Sequence, residues 1–243
     1  MTKEPFLNKH DRKLGVLIDP DKHNKDTLDQ LLDTIHQVRA DCILIGGSLV
    51  VNKSVDSTAR YIKEKTHLPL VLFPGHSNQL TDAVDAVLLL SLISGRNPDL
   101  LIGQHVLAAP MLKKMSEKLV STGYMLVDGG CPTSVAYMSG TQPIPADKPD
   151  IAVCTAIAGE AIGMKLMYLD AGSGARQQVP EKMVEAVAAS VNTPLIVGGG
   201  VRRAVQIERL WNAGANLVVI GNALEGDSRT QMSADMKKHR NGI

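Results

Sequence analysis

Eight short apolar runs recur along this chain: Leu14–Ile18, Cys42–Ile45, Pro69–Phe73, Ala86–Leu90, Tyr124–Val127, Lys165–Leu169, Leu195–Val197 and Leu217–Ile220. Runs of this length without polar alternation suit strands buried on both faces, as in a parallel sheet covered by helices. Parallel neighbours need a crossover, and helical patterns fill most of the gaps. Leu28, Leu31, Leu32, Ile35 and Val38 share one helical face. So do Met183, Val184, Val187, Ala188 and Val191, and again Ala204, Ile207, Leu210 and Trp211. Eight strands alternating with helices over 243 residues predict a single α/β domain, a (β/α)8 TIM barrel, whose typical length is about 250 residues. A doubly wound open sheet is the alternative, with fewer strands. Residues 1–12 read as an N-terminal extension and 226–243 as a C-terminal helix or tail.

The segments at Leu68–Gly75 and Thr193–Gly200 echo each other at an offset of 125 residues, about half the chain, as a duplicated half-barrel requires. One interval breaks the rhythm. Only twelve residues, Pro74–Asp85, separate the third run from the fourth, and they open Pro-Gly-His-Ser-Asn. A loop plus a full packing helix hardly fits there. The third helix is expected to be missing or stunted. A missing helix leaves a bare apolar flank suited to a long hydrophobic ligand; a short turn of helix would fill the gap instead.

Chemistry in such barrels sits at the C-terminal strand ends. Those ends carry Asp19-Pro-Asp21-Lys22, Gly46-Gly47-Ser48, Ser94-Gly-Arg96-Asn97, Asp128-Gly-Gly, Tyr168-Leu-Asp170-Ala-Gly172-Ser173-Gly174, Gly198-Gly199-Gly200 and Gly221-Asn222. Glycine lets a backbone come close to a ligand, and the start of a following helix offers N–H groups to an anion. Three glycine-rich turns at adjacent strand ends point to a phosphate. Asp19 and Asp21 are of the type that holds a hard cation such as Mg²⁺, which takes one or two carboxylates and leaves its other positions to water and substrate phosphates.

Composition narrows the classes. With 26 Lys+Arg against 25 Asp+Glu there is no basic surplus to grip a nucleic-acid backbone, and 3% aromatic residues provide few stacking platforms, so no nucleic-acid partner is expected. Cys42, Cys131 and Cys154 are odd in number and form no CxxC, which argues against a disulfide framework or a cysteine zinc site. With no apolar run near about 20 residues and no signal-like N-terminus, a cytoplasmic location is expected.

At these rims the chain resembles the geranylgeranylglyceryl phosphate synthase family. The resemblance rests on Leu17-Ile-Asp-Pro-Asp-Lys22, Ile45-Gly-Gly-Ser48, Tyr168-Leu-Asp-Ala-Gly-Ser-Gly-Ala175, Ile196-Val-Gly-Gly-Gly-Val-Arg202 and Ile220-Gly-Asn222. The Leu-Ile-Asp-Pro form and the long loop 130–149 look like the larger of the family's two groups. The resemblance implies a barrel lacking its third helix. It also implies Mg²⁺-dependent transfer of a prenyl group from a prenyl diphosphate to the primary hydroxyl of sn-glycerol 1-phosphate, giving an ether-lipid precursor.

Under this resemblance Asp19 and Ser48 match the metal positions. Tyr168, Leu169, Asp170, Ala171, Gly172, Ser173, Gly174, Gly199, Gly200, Gly221 and Asn222 match the glycerol-phosphate positions. Asp170 is the expected base for the glycerol hydroxyl and Tyr168 the residue that orients the glycerol; Lys22, Arg96 and Asn97 are candidate helpers on the diphosphate side. One departure stands out, because the family usually carries Glu where this chain has Asp170, a stem shorter by about 1.5 Å. A homo-oligomer with at most transient membrane contact is expected. Two rivals share the phosphate rim: an isomerase or lyase of a small phosphate, using Asp128 as a second acid–base group, and a noncatalytic phosphate binder.

Overall fold

The computed structural model describes residues 6–52, 54–224 and 235. Eight strands form: β1 (Lys13–Ile18), β2 (Cys42–Ile45), β3 (Leu70–Leu72), β4 (Ala86–Leu92), β5 (Leu119–Leu126), β6 (Leu166–Asp170), β7 (Leu195–Gly198) and β8 (Leu217–Ile220). All pair in parallel in chain order, and β8 returns to β1 through Lys13–Leu217 to Val16–Ile220, closing a TIM barrel. Around it lie α1 (Lys25–Gln37), α2 (Val55–Lys65), α3 (Gln104–Lys114), α4 (Ser134–Ser139), α5 (Pro149–Ala161), α6 (Glu181–Ser190) and α7 (Ala204–Asn212). The expected C-terminal helix or tail lies, apart from residue 235, outside the described residues, as do the first five residues of the expected N-terminal extension.

The strand period of two divides the core. Leu44, Phe73, Leu88, Tyr124, Tyr168, Ile196 and Val219 fill the barrel interior. Ile43, Ile45, Val87, Met125, Leu169, Val197 and Val218 face the helices. Each fully buried aliphatic side chain of this kind stabilises the fold by about 1.5–3 kcal/mol. The helices bury the faces their apolar spacing predicts. In α1, Leu28, Leu31, Leu32 and Ile35 are buried, and the start is fixed by a capping box: Asn24 Oδ1 accepts from Thr27 N at 2.8 Å and Thr27 Oγ1 accepts from Asn24 N at 2.9 Å. At the opposite end, Lys9 Nζ donates to the carbonyls of Ala188 and Val191 at the end of α6, while Leu7 packs against the interior cluster.

Several strand bounds differ from the apolar runs, three of them with consequences for the site. β5 begins at Leu119, five residues early, because Ser121, Thr122 and Gly123 interrupt the run without interrupting the ladder. Thr122 is buried and its Oγ1 donates to Val120 O at 2.8 Å, so its hydroxyl is satisfied within the strand. β6 and β7 each end one residue late, so Asp170 and Gly198 are ladder residues paired with one another.

Between β3 and β4 the chain makes one 3-10 turn, Ser77–Gln79, in place of a barrel helix. Buried Gln79 organises it: Oε1 accepts from Gly75 N at 3.0 Å and Nε2 donates to Gly47 O at 3.0 Å. The loops after β2 and β3 thereby press together so closely that a side chain on Gly75 would lie 2.3 Å from Gly47 O. Among the described residues no helix is long and apolar enough to cross a membrane.

Candidate active site

Strand alternation decides which rim residues face the barrel mouth. On β6, Tyr168 and Asp170 point inward, and Asp170 is only 7% exposed. Leu169 and Ala171, expected among the glycerol-phosphate residues, instead belong to the layer between barrel and helices. Their side chains lie off the cavity wall because the strand period places them on the opposite face.

The Asp170 carboxylate is held from two sides. Oδ1 accepts from Gly172 N at 2.7 Å, and Oδ2 accepts from Tyr124 Oη at 2.7 Å. Burial pushes its carboxyl above the ordinary value, while the Tyr124 and Gly172 bonds pull it down. Tyr124 and Tyr168 are themselves raised well above the usual phenol range, by burial first and the Asp170 charge second. Tyr124 therefore keeps its proton and Asp170 is the acceptor. Phe73, Tyr124 and Tyr168 pack ring against ring, with centroids 5.3–5.9 Å apart, gathering three of the chain's seven aromatic residues beneath the mouth.

The glycines after β7 each make room for a specific neighbour. A Cβ on Gly198 would lie 2.6 Å from Tyr168 Oη, and one on Gly199 would lie 2.6 Å from Asp170 Oδ1 and 2.5 Å from Gly172 N. One on Gly200 would lie 2.3 Å from Gln177 O. Gly199 and Gly200 also hold φ of +79° and +70°, where side-chain-bearing residues are strained. The expected helix-start donors after β7 are partly taken: Gln206 Oε1 accepts from both Arg202 N and Arg203 N. Arg202 ties β7's loop to that of β6, its guanidinium donating to the carbonyls of Ala175 (2.8 Å) and Arg176 (3.0 Å).

These residues open onto one cavity of about 860 Å³. Its polar end is lined by Asp19, Lys22, Gly47, Ser48, Tyr168, Asp170, Gly172, Ser173, Gly174, Gly199, Gly200, Gly221 and Asn222. Lys22 Nζ donates to Asn222 Oδ1 at 2.7 Å across the β1–β8 seam. Asp19 Oδ1 accepts from Asp21 N at 3.0 Å, and its carboxylate lies beside Gly47. Asp21 is turned elsewhere, accepting from Val51 N and Asn52 N. From this rim the cavity runs, where a third barrel helix would stand, over Leu80, Leu89, Leu100, Ala108 and Leu112, with Val135 and Met138 of α4 also on its wall.

Three expected participants lie elsewhere. Arg96 adopts φ of +59°, donates to Ile93 O at 2.6 Å and lines a separate shallow groove against α5. Asn97 Oδ1 accepts from Asp99 N, capping the turn before α3. Neither is on the cavity wall: Arg96 turns toward α5, and Asn97 bonds within its own turn. Asp128, the acid–base group required by an isomerase or lyase, is exposed and bonds to Gly130 N off the cavity wall. Sequence reasoning missed Tyr124 and Gln79 and gave Arg202, quoted only within a motif, no role; each has a partner more than twenty residues away.

A closed parallel barrel with glycine-lined loops after β6, β7 and β8 and a buried carboxylate at its mouth defines a phosphate-ligand barrel enzyme. The chain belongs to the PcrB family, which it matches over residues 9–239. It is 49% identical over 217 residues to geranylgeranylglyceryl phosphate synthase of Chitinophaga pinensis, covering 89% of this chain and 86% of that one. It is 49% identical over 216 residues to the protein of the same name from Spirosoma linguale, covering 89% and 87%. Among solved structures it resembles (S)-3-O-geranylgeranylglyceryl phosphate synthase of Thermoplasma acidophilum, in complex with substrate sn-glycerol-1-phosphate, at TM-score 0.87 and 27% identity, covering 97% of this chain and 95% of that one.

Proposed function

We propose that this chain is a prenyltransferase that joins a long-chain prenyl diphosphate, geranylgeranyl in the first instance, to the primary hydroxyl of sn-glycerol 1-phosphate. The products are a prenylglyceryl phosphate ether and diphosphate. One observation carries the reading: a glycine-lined anion rim around a buried carboxylate runs without a wall into an apolar flank. A small-phosphate isomerase needs only the first half of such a cavity. Family membership and the ligand held by the Thermoplasma acidophilum protein support the same conclusion.

In the reaction the glycerol oxygen bonds to the allylic carbon as the carbon–oxygen bond to diphosphate breaks, and the hydroxyl proton passes to Asp170. The glycine loops after β6, β7 and β8 hold the phosphate, so the hydroxyl arrives oriented above Tyr168. Such positioning contributes several kcal/mol to the rate, within a range of about 7–11 for ideal cases. Lys22, held on the cavity wall at the β1–β8 seam by Asn222, is the candidate helper for the diphosphate charge. Asp19 and Ser48 would hold Mg²⁺; one carboxylate and a hydroxyl on the cavity wall suit an ion that keeps its other positions for water and phosphate oxygen. When bound, that ion neutralises the charge growing on the leaving diphosphate. The chain works in the cytoplasm, with at most transient membrane contact, as a homo-oligomer; exposed Ile102 just before α3 and Val106 and Leu107 within it support self-association.

Incubation with Mg²⁺, sn-glycerol 1-phosphate and labelled prenyl diphosphates of several lengths, followed by lipid extraction, tests the reading. A labelled ether product is expected. Turnover of a small phosphate with no prenyl donor, or binding of glycerol phosphate without any ether formed, would overturn it. Removing Mg²⁺ with a chelator is expected to lower turnover by at least about 10²-fold, restored on adding the ion back, since Lewis-acid stabilisation supplies several kcal/mol. Full turnover in chelator removes the metal role of Asp19 and Ser48.

The flank makes a second demand. Ala108 is buried on α3 against the cavity, and a tryptophan there fills the space the tail occupies. Each methylene kept out of the groove forfeits about 0.8 kcal/mol. Ala108→Trp is expected to lower kcat/KM for geranylgeranyl diphosphate at least about tenfold relative to geranyl diphosphate, the loss of two such groups. An unchanged ratio would place the tail elsewhere.

A further inference from the structure

The hydroxyl of Tyr124 is the one polar group of the buried aromatic trio that bonds directly to the candidate base. Its ring sits on β5 opposite Tyr168 in the ladder, two pairs below Leu126 and Asp170 and on the same face. Phe73 lies 5.9 Å from it and Tyr168 5.5 Å, the latter edge to face, so packing fixes the ring plane and the direction of its C–O bond. Phenylalanine would fill this space equally well. A buried tyrosine hydroxyl usually finds a hydrogen-bond partner, and here the partner is Asp170 Oδ2 at 2.7 Å.

An ionised carboxylate offers about four lone-pair directions. Gly172 N takes one on Oδ1 and Tyr124 Oη one on Oδ2, which leaves each oxygen a direction for another donor. Without the tyrosine, the carboxylate is held by a single backbone amide from its own loop and is free to turn about its Cβ–Cγ bond. The side chain is short, so a rotation is not compensated by a longer stem. Resting on the reading of Asp170 as the base, we propose that Tyr124 is a positioning residue for prenyl transfer: its hydroxyl locks the Asp170 carboxylate with an open lone pair toward the glycerol hydroxyl.

The arrangement has a direction in pH. The titratable groups facing Asp170 are Tyr124 from β5 and Tyr168 from its own strand, with Cys42 behind Tyr168. Burial raises the Asp170 carboxyl and the Tyr124 bond lowers it, so deleting the hydroxyl leaves burial less opposed. The base then picks up its proton at a higher pH, and activity is lost sooner as the solution is acidified. Loss of packing alone would lower activity without moving that limb.

Tyr124→Phe is the test. The expected result is a fall in kcat of about tenfold or more, as for a hydrogen bond to a charged group. KM for sn-glycerol 1-phosphate should stay within about threefold, since the phosphate loops do not use this hydroxyl. The acid limb of the kcat profile should move to higher pH. In an Asp170→Asn background the tyrosine change should cost no more than about twofold, because it acts through the carboxylate. An unmoved acid limb, or a full additive loss in that background, overturns the proposal.

A carboxyl-carbon NMR titration of Asp170 in the ligand-free protein gives a readout independent of turnover. An upward shift in Tyr124→Phe upholds the bond, and coincident titrations refute it. Absence of prenyl transfer by the unmodified enzyme would instead sink the functional reading, while the titration still judges the pair. If Tyr124→Phe does not fold, ring-fluorinated tyrosine at this position keeps the shape and strengthens the donor. The acid limb should then move to lower pH, and an unmoved limb again refutes the proposal.

Discussion

Asp170→Asn lowers kcat for prenyl transfer by at least about 10²-fold, the contribution of a well-placed general base, while sn-glycerol 1-phosphate still binds. The substitution preserves the local geometry. The amide oxygen can accept from Gly172 N as Oδ1 does now, and the amide nitrogen can donate to Tyr124 Oη, whose oxygen is an acceptor as well as a donor. What disappears is the site for the hydroxyl proton. Calorimetry with glycerol phosphate separates the two effects: retained affinity with collapsed turnover is expected, and near-wild-type turnover would remove Asp170 from the base role.

The same substitution carries a stability signature of opposite sign. Because burial raises the folded carboxyl above its ordinary value of 3.8, protonated Asp170 favours the native state. That stability is fully present below the unfolded value and is lost as pH rises through the folded one. At neutral pH the enzyme therefore carries a buried charge that asparagine lacks. Asp170→Asn is expected to be more stable at neutral pH by about 1 kcal/mol, the usual scale of such exchanges between function and stability. The gap should narrow as pH falls toward the unfolded value. A variant less stable than the parent at neutral pH would show that the two donors outweigh the burial cost.

Gly199→Ala is expected to be the more damaging change overall. At φ of +79° the new Cβ meets Gly172 N at 2.5 Å, Asp170 Oδ1 at 2.6 Å and Ala171 N at 2.7 Å. Two of these are backbone atoms of the β6 rim, so no rotamer relieves the contact. The strain of a side chain in the left-handed region costs about 1–3 kcal/mol, and overpacking adds about as much again. The displaced atoms are the base and the loop proposed to hold phosphate, and a shift of about 1 Å there is enough for a 10²-fold loss. A lowered Tm together with a kcat/KM reduced by at least about 10²-fold is expected. Gly221→Ala is the control for stability, because its Cβ would meet nothing closer than 3.5 Å. If Gly199→Ala matched Gly221→Ala in Tm and kept the parent's kcat/KM, the close packing of β6 against β7 would not be a requirement of the site.

This second case shows where the glycine pattern was legible and where it was not. The run Gly198-Gly199-Gly200 announces a close approach, and its place after an apolar run puts it at a strand end. What approaches it is another part of the protein: Tyr168 Oη, Asp170 Oδ1 and Gln177 O. Likewise the shortness of Pro74–Asp85 forecasts the lost helix, but the turn that replaces it depends on Gln79 bridging Gly75 and Gly47, partners up to thirty-two residues away. Arg96 was misplaced for the same reason. Its charge and its position after β4 suit a diphosphate, yet a left-handed backbone and the bond to Ile93 O direct it toward α5.

Periodicity and punctuation in the linear chain determined the eight-stranded barrel, the helix faces, the shortened third crossover and the cluster of Asp19, Ser48, Asp170 and glycines at one rim. These follow from local physics, since apolar spacing of two or 3.6 and the conformational freedom of glycine are written residue by residue. Only the closed tertiary structure decided that Leu169 and Ala171 turn away from the cavity, that Asp128 and Arg96 stand outside it, and that Tyr124 grips the base. Those outcomes depend on strand register and on side chains from neighbouring strands meeting, as Tyr124 and Asp170, forty-six positions apart, meet at 2.7 Å. Distance along the chain carries no record of such a meeting until the barrel closes.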